Sequence, residues 1–173
     1  MKNFRYLVLG ALVATALPFT GLVVGSQAQL GSLGRAPAEE GGPLMPPLEP
    51  GQAVQGREVY LSLGCVSCHT QQVRPAGQGR DIAAGLGARP SVARDYVLQP
   101  VVLLGDRRIG PDLANYGSRA KSESDVLAAL RKPVHAPGLR FDADGKPDAR
   151  VTALAAYLRS LRQDYSSPEA PLK

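Results

Sequence analysis

Apolar positions along the chain change their period several times, and each change marks an element. From Tyr6 to Gly25 the run YLVLGALVATALPFTGLVVG carries no charge, and a stretch of about 20 apolar residues is what a helix needs to span a bilayer. Residues 29–50, QLGSLGRAPAEEGGPLMPPLEP, lose any period and gain Pro and Gly, which predicts an extended linker without helix or strand. Periodicity returns in AVQGREVYLSLG, residues 53–64, where Val54, Val59, Tyr60, Leu61 and Leu63 form a helical face and Gly64 ends it. SESDVLAALRK starts at Ser122 or Ser124 with acid in its first turn and stops before Pro133, as a third helix would. DARVTALAAYLRSLRQ sets Val151, Leu154, Ala155, Leu158 and Leu161 at helical spacing behind the cap Asp148. With no Gly or Pro inside, it predicts the firmest helix of the set. No run alternates as strands do, so the fold class predicted is all-α, preceded by one N-terminal transmembrane helix.

Lys2 and Arg5 stand before the apolar run, which keeps the N-terminus inside and exports everything after residue 28. Length favours a retained anchor. The alternative is a cleaved signal peptide, with Pro18 and the small residues Ser26 to Ala28 supplying the cleavage site. The organisation predicted is an anchor or signal over residues 1–28, a linker over 29–50, one helical domain over 51–165 and a tail over 166–173. Aromatic residues make up 5% of the chain and Trp is absent, so large side chains contribute little to the core and apolar bulk has to come from elsewhere.

Both cysteines fall in LSLGCVSCHTQQVRP, residues 61–75, with a histidine directly after the second. Cys65, Cys68 and His69 make a Cys-x-x-Cys-His run, the attachment signature of c-type haem, in which two thiols bind the porphyrin and the adjacent imidazole lies under the iron. Three plainer readings compete. A Cys65–Cys68 disulfide closes too short a loop to constrain the unfolded chain. A thioredoxin-like redox pair calls for a βαβ context that the pattern lacks. A zinc site needs four ligands, and only Cys65, Cys68, His69 and His135 are on offer, two of them adjacent. An exported haem protein agrees with the N-terminal run, and one covalent haem c is the cofactor expected.

A helix running into Cys-x-x-Cys-His, a middle loop region and a closing helix resemble the class I cytochrome c fold, in which a glycine of the first helix lets an aromatic of the last approach. Gly56 and Tyr157 occupy the positions that resemblance requires. Gly110 to Leu113, GPDL, is a second resemblance: there the proline carbonyl, here that of Pro111, accepts the free N–H of the proximal imidazole. GREVYLSLGCVSCHTQQVRP followed by SVARDYVLQPVVLLGDRRIGPDLANYGSR is similar to the membrane-anchored mono-haem subunit II of cbb3-type cytochrome c oxidases, over residues 56–119. The resemblance implies electron transfer from donor cytochromes towards the oxygen-reducing subunit, without oxygen chemistry in this chain. It implies an inner-membrane protein with its haem domain in the periplasm, held among the other subunits of the complex.

One departure from that family changes the chemistry. The family's sixth iron ligand is a methionine after the third helix, whereas this chain reads KPVHAPGLRFDADGKPD and has no methionine after Met45. His135 is the leading replacement, since imidazole is a normal haem ligand. Met45, in the linker, is the rival, and an open iron is the third case. Arg74 belongs to the family motif and suits a haem propionate through a bidentate guanidinium. Arg74, Arg80, Arg89, Arg94, Arg107 and Arg108 lie among Asp81, Asp95 and Asp106. Such a run is usually a solvated face, and the net charge of +5 does not call for nucleic acid, which an exported haem domain would not meet.

Three functional classes follow: an oxidase electron-transfer subunit, a stand-alone anchored or periplasmic electron carrier that does not need Ser91 to Tyr96 for docking, and a haem sensor with an open sixth position. Mass spectrometry of the protein from its own membranes tests the anchor. Residues 6–25 are expected to be retained, and a mature N-terminus at Gln29 would show a cleaved signal instead.

Overall fold

A computed structural model of the chain describes residues 2–135 and 137–172. It divides into two compact units, Met1–Gly34 and Arg35–Lys173.

The first unit is helical throughout. α1 (Lys2–Pro18) passes into a π-helical stretch, Phe19–Val24, and then into α2 (Gly25–Leu30). Pro18 has no N–H to give the preceding turn, and its ring crowds the carbonyl four residues back. The wider π register directly after it is a usual way to absorb such a defect. Asn3–Leu30 is 28 residues long with none of its apolar window buried. At 1.5 Å per residue that is about 42 Å, more than the roughly 30 Å hydrocarbon core of a bilayer. A helix that is apolar all round and uncovered has the character of a membrane anchor.

The second unit begins with a feature the sequence pattern does not announce. β1 (Ala36–Pro37) pairs antiparallel with β2 (Leu44–Met45), Ala36 opposite Met45, so the chain is not purely α. Gly41, at φ 74°, takes the left-handed turn between them, and Arg35 crosses the pair to donate to the carbonyls of Pro46 (2.8 Å) and Leu44 (2.7 Å). The prolines keep the strands to two residues each, since they remove donors from the ladder.

Four further helices follow: α3 (Gly51–Ser62), α4 (Tyr116–Arg119), α5 (Glu123–Leu130) and α6 (Ala149–Ser160). Ser122 caps α5 by accepting from Asp125 N (3.2 Å), while the Asp125 carboxylate accepts from Ser122 N (2.9 Å), a reciprocal capping box. Asp148 caps α6 through Val151 N at 2.8 Å. α6 buries Val151, Leu154, Ala155, Leu158 and Leu161, as its spacing predicts, together with Tyr157.

α3 departs in part from the inward face that its large residues suggest. Ala53, Gly56, Arg57 and Tyr60 are buried, whereas Val54 is 48% exposed. The reason is the closeness of α6. A Cβ at Gly56 would fall on the carbonyl of Ala153 and on Tyr157 Cβ, so Ala53 and Gly56 line the crossing and Val54 is turned out, while Tyr60 is buried and Val59, Leu61 and Leu63 pack against the core as the spacing predicts. Tyr60 and Tyr157 then meet edge to face, ring centroids 5.5 Å apart.

Residues 166–172, read from sequence as a tail, pack onto the unit. Ser167 and Ala170 are buried and bridge each other, and Arg94 forms an ion pair with Glu169.

Gly56→Ala should destabilise the second unit by about 1–3 kcal/mol or more, because a packed interface has to open. Urea denaturation measures it, with Gly51→Ala, whose Cβ meets nothing within 4 Å, as the control. Equal midpoints for the two variants would remove the tight crossing as the organising contact.

Candidate functional site

The site is built on the turn that ends α3. Gly64 adopts φ 69°, the left-handed conformation that stops a helix. The chain then coils through a 3-10 turn, Cys65–Ser67, in which Cys68 N and His69 N both donate to Cys65 O, at 3.2 and 3.0 Å. Two thiols and an imidazole are thereby presented from a single turn. Both cysteines are free and partly exposed. Burial pushes the Cys65 thiol up, with the nearby Cys68 adding to the shift. A thiol held protonated is the opposite of the activated thiolate in a redox Cys-x-x-Cys. Among the described residues no group of three His, Cys, Asp or Glu side chains is placed to hold a metal ion.

His69 Nδ1 lies 2.9 Å from the carbonyl oxygen of Pro111. A carbonyl can only accept, so Nδ1 carries the proton and donates it, and Nε2 keeps its lone pair. The backbone around this bond is laced together. Arg107 N donates to Ser67 O (3.1 Å), Gly110 N to Cys68 O (3.1 Å), Leu113 N to Thr70 O (2.8 Å) and Gln71 N to Leu103 O (2.9 Å). Residues 103–113 thus run against residues 67–71. Two glycines make this approach possible. A Cβ at Gly110 would enter the His69 ring, and one at Gly105 would come within 2.9 Å of Thr70 N and Val66 O. Tyr60 OH donates to His69 O at 2.9 Å, joining the α3–α6 crossing to the site.

Asp112 completes the segment. Its carboxylate accepts from Gln72 N (2.8 Å) and Ala114 N (2.9 Å), while Arg119 donates to its backbone carbonyl at 2.6 Å. Burial raises its pKa above the ordinary carboxyl value. Thr70 Oγ1 and Gln71 Nε2, directly after His69, are buried with no hydrogen-bond partner among the described residues. Each such atom represents an unmet demand of about 1–3 kcal/mol that water or a bound group can fill. Gly105, Gly110, Tyr60 and Asp112 were not singled out for roles here by sequence reasoning. Gly110 and Asp112 carried a signal as neighbours of Pro111 in the GPDL word, and Tyr60 as a member of the α3 apolar face and of the GREVY word.

His135 sits just beyond α5. Its Nδ1 is 2.9 Å from Ala129 O, and its ring centroid is 5.8 Å from that of His69 at an interplanar angle of 41°. Met45, the rival, is held in β2 opposite Ala36. Arg74 has its fork on Asp81, with Nε at 2.9 Å and Nη2 at 2.8 Å, while Asp81 also accepts from Arg74 N. The guanidinium holds the Asp81 carboxyl below the usual range. Arg74 therefore braces its own loop with the two nitrogens that a propionate would otherwise take.

The Ser91–Tyr96 block, considered from sequence for docking, is half-buried, with Asp95 buried and Ala93 exposed, and several of its side chains bond inward. Ser91 Oγ accepts from Val73 N (2.9 Å) and donates to Gln163 Oε1 (2.6 Å), and Tyr96 OH donates to Gln71 O (2.8 Å). Arg89 and Asp95 form a buried bidentate pair at 2.9 and 2.7 Å, with Tyr165 OH donating to Asp95 at 2.8 Å.

The family described as "Cytochrome C oxidase, mono-heme subunit/FixO" matches residues 45–136, a span that takes in Met45, Cys65, Cys68, His69, Arg74, Pro111 and His135. No curated protein matches the chain.

The two ion pairs holding the C-terminal segment should differ sharply on truncation. Asp95→Ala strands a guanidinium whose side chain is 3% exposed, at an expected cost of about 3–5 kcal/mol. Glu169→Gln removes an exposed pair, at about 0.2–1 kcal/mol. The hydrogen bonds from Arg94 and then Ser167 hold the Glu169 pKa at about 2, against an ordinary 4.5. Its contribution is therefore complete above pH 4.5 and is lost as pH falls towards 2. Denaturation midpoints at neutral pH, and amide exchange over residues 166–172 across that acid window, measure both effects. Similar costs for the two variants would contradict the assignment.

Proposed function

Because the chain belongs to the family of mono-haem cytochrome c oxidase subunits designated FixO, we propose that it is the electron-transfer subunit of a cbb3-type respiratory oxidase. In this reading it is anchored in the inner membrane by its N-terminal helix, with a class I cytochrome c domain on the periplasmic side. It takes electrons from donor cytochromes and passes them to the other subunits of the complex. When bound, one haem c supplies an iron that carries a single electron.

The observation that carries this reading is the His69–Pro111 contact at 2.9 Å, on the same turn as the two free thiols. The residues present fit the cofactor. Cys65 and Cys68 would hold it as thioethers, each thiol adding across a vinyl group with its proton going to the neighbouring carbon, so that no oxidant is consumed. His69 would ligate the iron through Nε2. Pro111 keeps that ring in one tautomer and one orientation, and raises its basicity by accepting the Nδ1 proton. Ile109, beside Gly110, and Val134, beside His135, are 72% and 78% exposed. Exposed apolar side chains so near these residues in the chain are of the kind a porphyrin would cover, and a porphyrin would supply the apolar bulk that the few aromatic residues do not.

Haem staining after denaturing electrophoresis should mark the full chain, and the paired change Cys65→Ser with Cys68→Ser should abolish the stain. Purification in mild detergent should bring oxidase subunits with the chain. Haem that extracts freely into acidified organic solvent would refute covalent attachment, and a chain that purifies alone would refute the fixed complex.

A further inference from the structure

The chain has two histidines, 66 positions apart by their numbers, and the fold brings their rings to a centroid separation of 5.8 Å. We infer that His69 and His135 are the paired axial ligands of the iron. The inference rests on the proposed haem site and goes beyond it by closing the sixth coordination position with an imidazole.

The separation alone does not decide this, since ring pairs packed for their own sake occur at about 4.5–7 Å. What distinguishes this pair is the state of its nitrogens. His69 Nδ1 donates to Pro111 O and His135 Nδ1 donates to Ala129 O, both at 2.9 Å. Each acceptor is a backbone carbonyl, which has no proton to give. Each ring is thereby set as the Nδ1–H tautomer, with an Nε2 lone pair for which the described residues supply no partner. Two lone pairs on rings this close have nothing to offer each other, whereas a Lewis acid bound by both rings would satisfy them.

The second ring is also well anchored. α5 ends at Leu130, leaving the carbonyls of its last turn without helical partners. Lys132 N bonds to Ala129 O at 3.3 Å and His135 N to Lys132 O at 2.8 Å, so the chain turns through Pro133 and returns the imidazole to that same Ala129 carbonyl. Anchoring of a ring nitrogen by a backbone carbonyl is the support that metal-ligating histidines commonly have. The two anchors belong to different parts of the domain, the GPDL segment and the end of α5.

The character of the acceptor follows from what is missing around it. No group of three His, Cys, Asp or Glu side chains among the described residues could hold a bare metal ion. A centre that brings its own equatorial donors needs only two ligands from the protein, and a porphyrin iron is such a centre. Met45 is tied into β2, and no methionine follows it in the chain. Two neutral imidazoles would keep the iron low-spin and lower its potential relative to a His/Met pair. They would also shut out small diatomic ligands, which favours electron transfer over sensing.

The experiment uses the full chain in detergent, with covalent haem verified by staining in every variant. The unmutated protein is expected to be low-spin when ferric and inert to carbon monoxide when ferrous. His135→Ala should turn high-spin and bind carbon monoxide, and added imidazole should restore the low-spin spectrum. His135→Met should stay low-spin with a raised potential, and Met45→Ala should match the unmutated protein. Carbon monoxide binding by the unmutated protein, a low-spin His135→Ala without added imidazole, or a high-spin Met45→Ala would each overturn the ligand. If the unmutated chain holds no covalent haem, the haem site itself is refuted and the ligand falls with it. A stained chain that fails the spectral test refutes His135 alone.

Discussion

The bond from His69 Nδ1 to the Pro111 carbonyl constrains more of this domain than any other single contact. Its own contribution to stability is about 1 kcal/mol, but holding it requires residues 103–113 to lie flat against the turn that carries the thiols. That closeness requires glycine at 105 and 110, and the backbone bonds from Arg107, Gly110 and Leu113 follow from it. Arg119 then secures the segment from behind through the Asp112 carbonyl. The bond sets the tautomer of the imidazole, and so decides which nitrogen is left to do chemistry.

Behind the turn, the scaffold is held by a run of buried and partly buried polar contacts. Gln71, 1% exposed, is gripped through its carbonyl by Tyr96 and through its side chain by Tyr157, at 2.8 and 2.9 Å. Ser91 carries the chain of bonds on to Gln163, whose N–H donates to Asn115 Oδ1 at 2.8 Å. A core poor in aromatic residues has less apolar area to bury, and these hydrogen bonds help to fix its arrangement, although Gln71 Nε2 and Thr70 Oγ1 are left without partners among the described residues. The Arg89–Asp95 pair belongs to the same logic. Its desolvation cost makes it weak evidence for net stability, yet with Tyr165 it specifies where the C-terminal segment lies.

The N-terminal unit obeys a different solvent. Its helix pairs its interior backbone groups within itself except at Pro18 and leaves its side chains uncovered, an arrangement suited to hydrocarbon and costly in water. Pro18 interrupts the hydrogen bonding without ending the helix, because the adjoining π-helical turn, Phe19–Val24, takes up the change in register.

The sequence by itself determined whatever depends on neighbours in the chain. The uncharged N-terminal run, the α5 and α6 helices with their caps Ser122 and Asp148, the stop at Gly64 and the Cys65, Cys68, His69 turn are all set by local spacing and by side chains that act on their own backbone. The tertiary structure alone decided what depends on residues far apart. It turned Ala53 inward and Val54 out, because α6 comes close at Gly56, the approach to Tyr157 that the class I cytochrome c resemblance implies. It paired β1 with β2 through Arg35, occupied Arg74 with Asp81, and turned the side chains of Ser91, Asp95 and Tyr96 to brace neighbouring segments. It also set His135 beside His69, a juxtaposition that spacing could not supply, since it is fixed by one carbonyl in the GPDL segment and another at the end of α5.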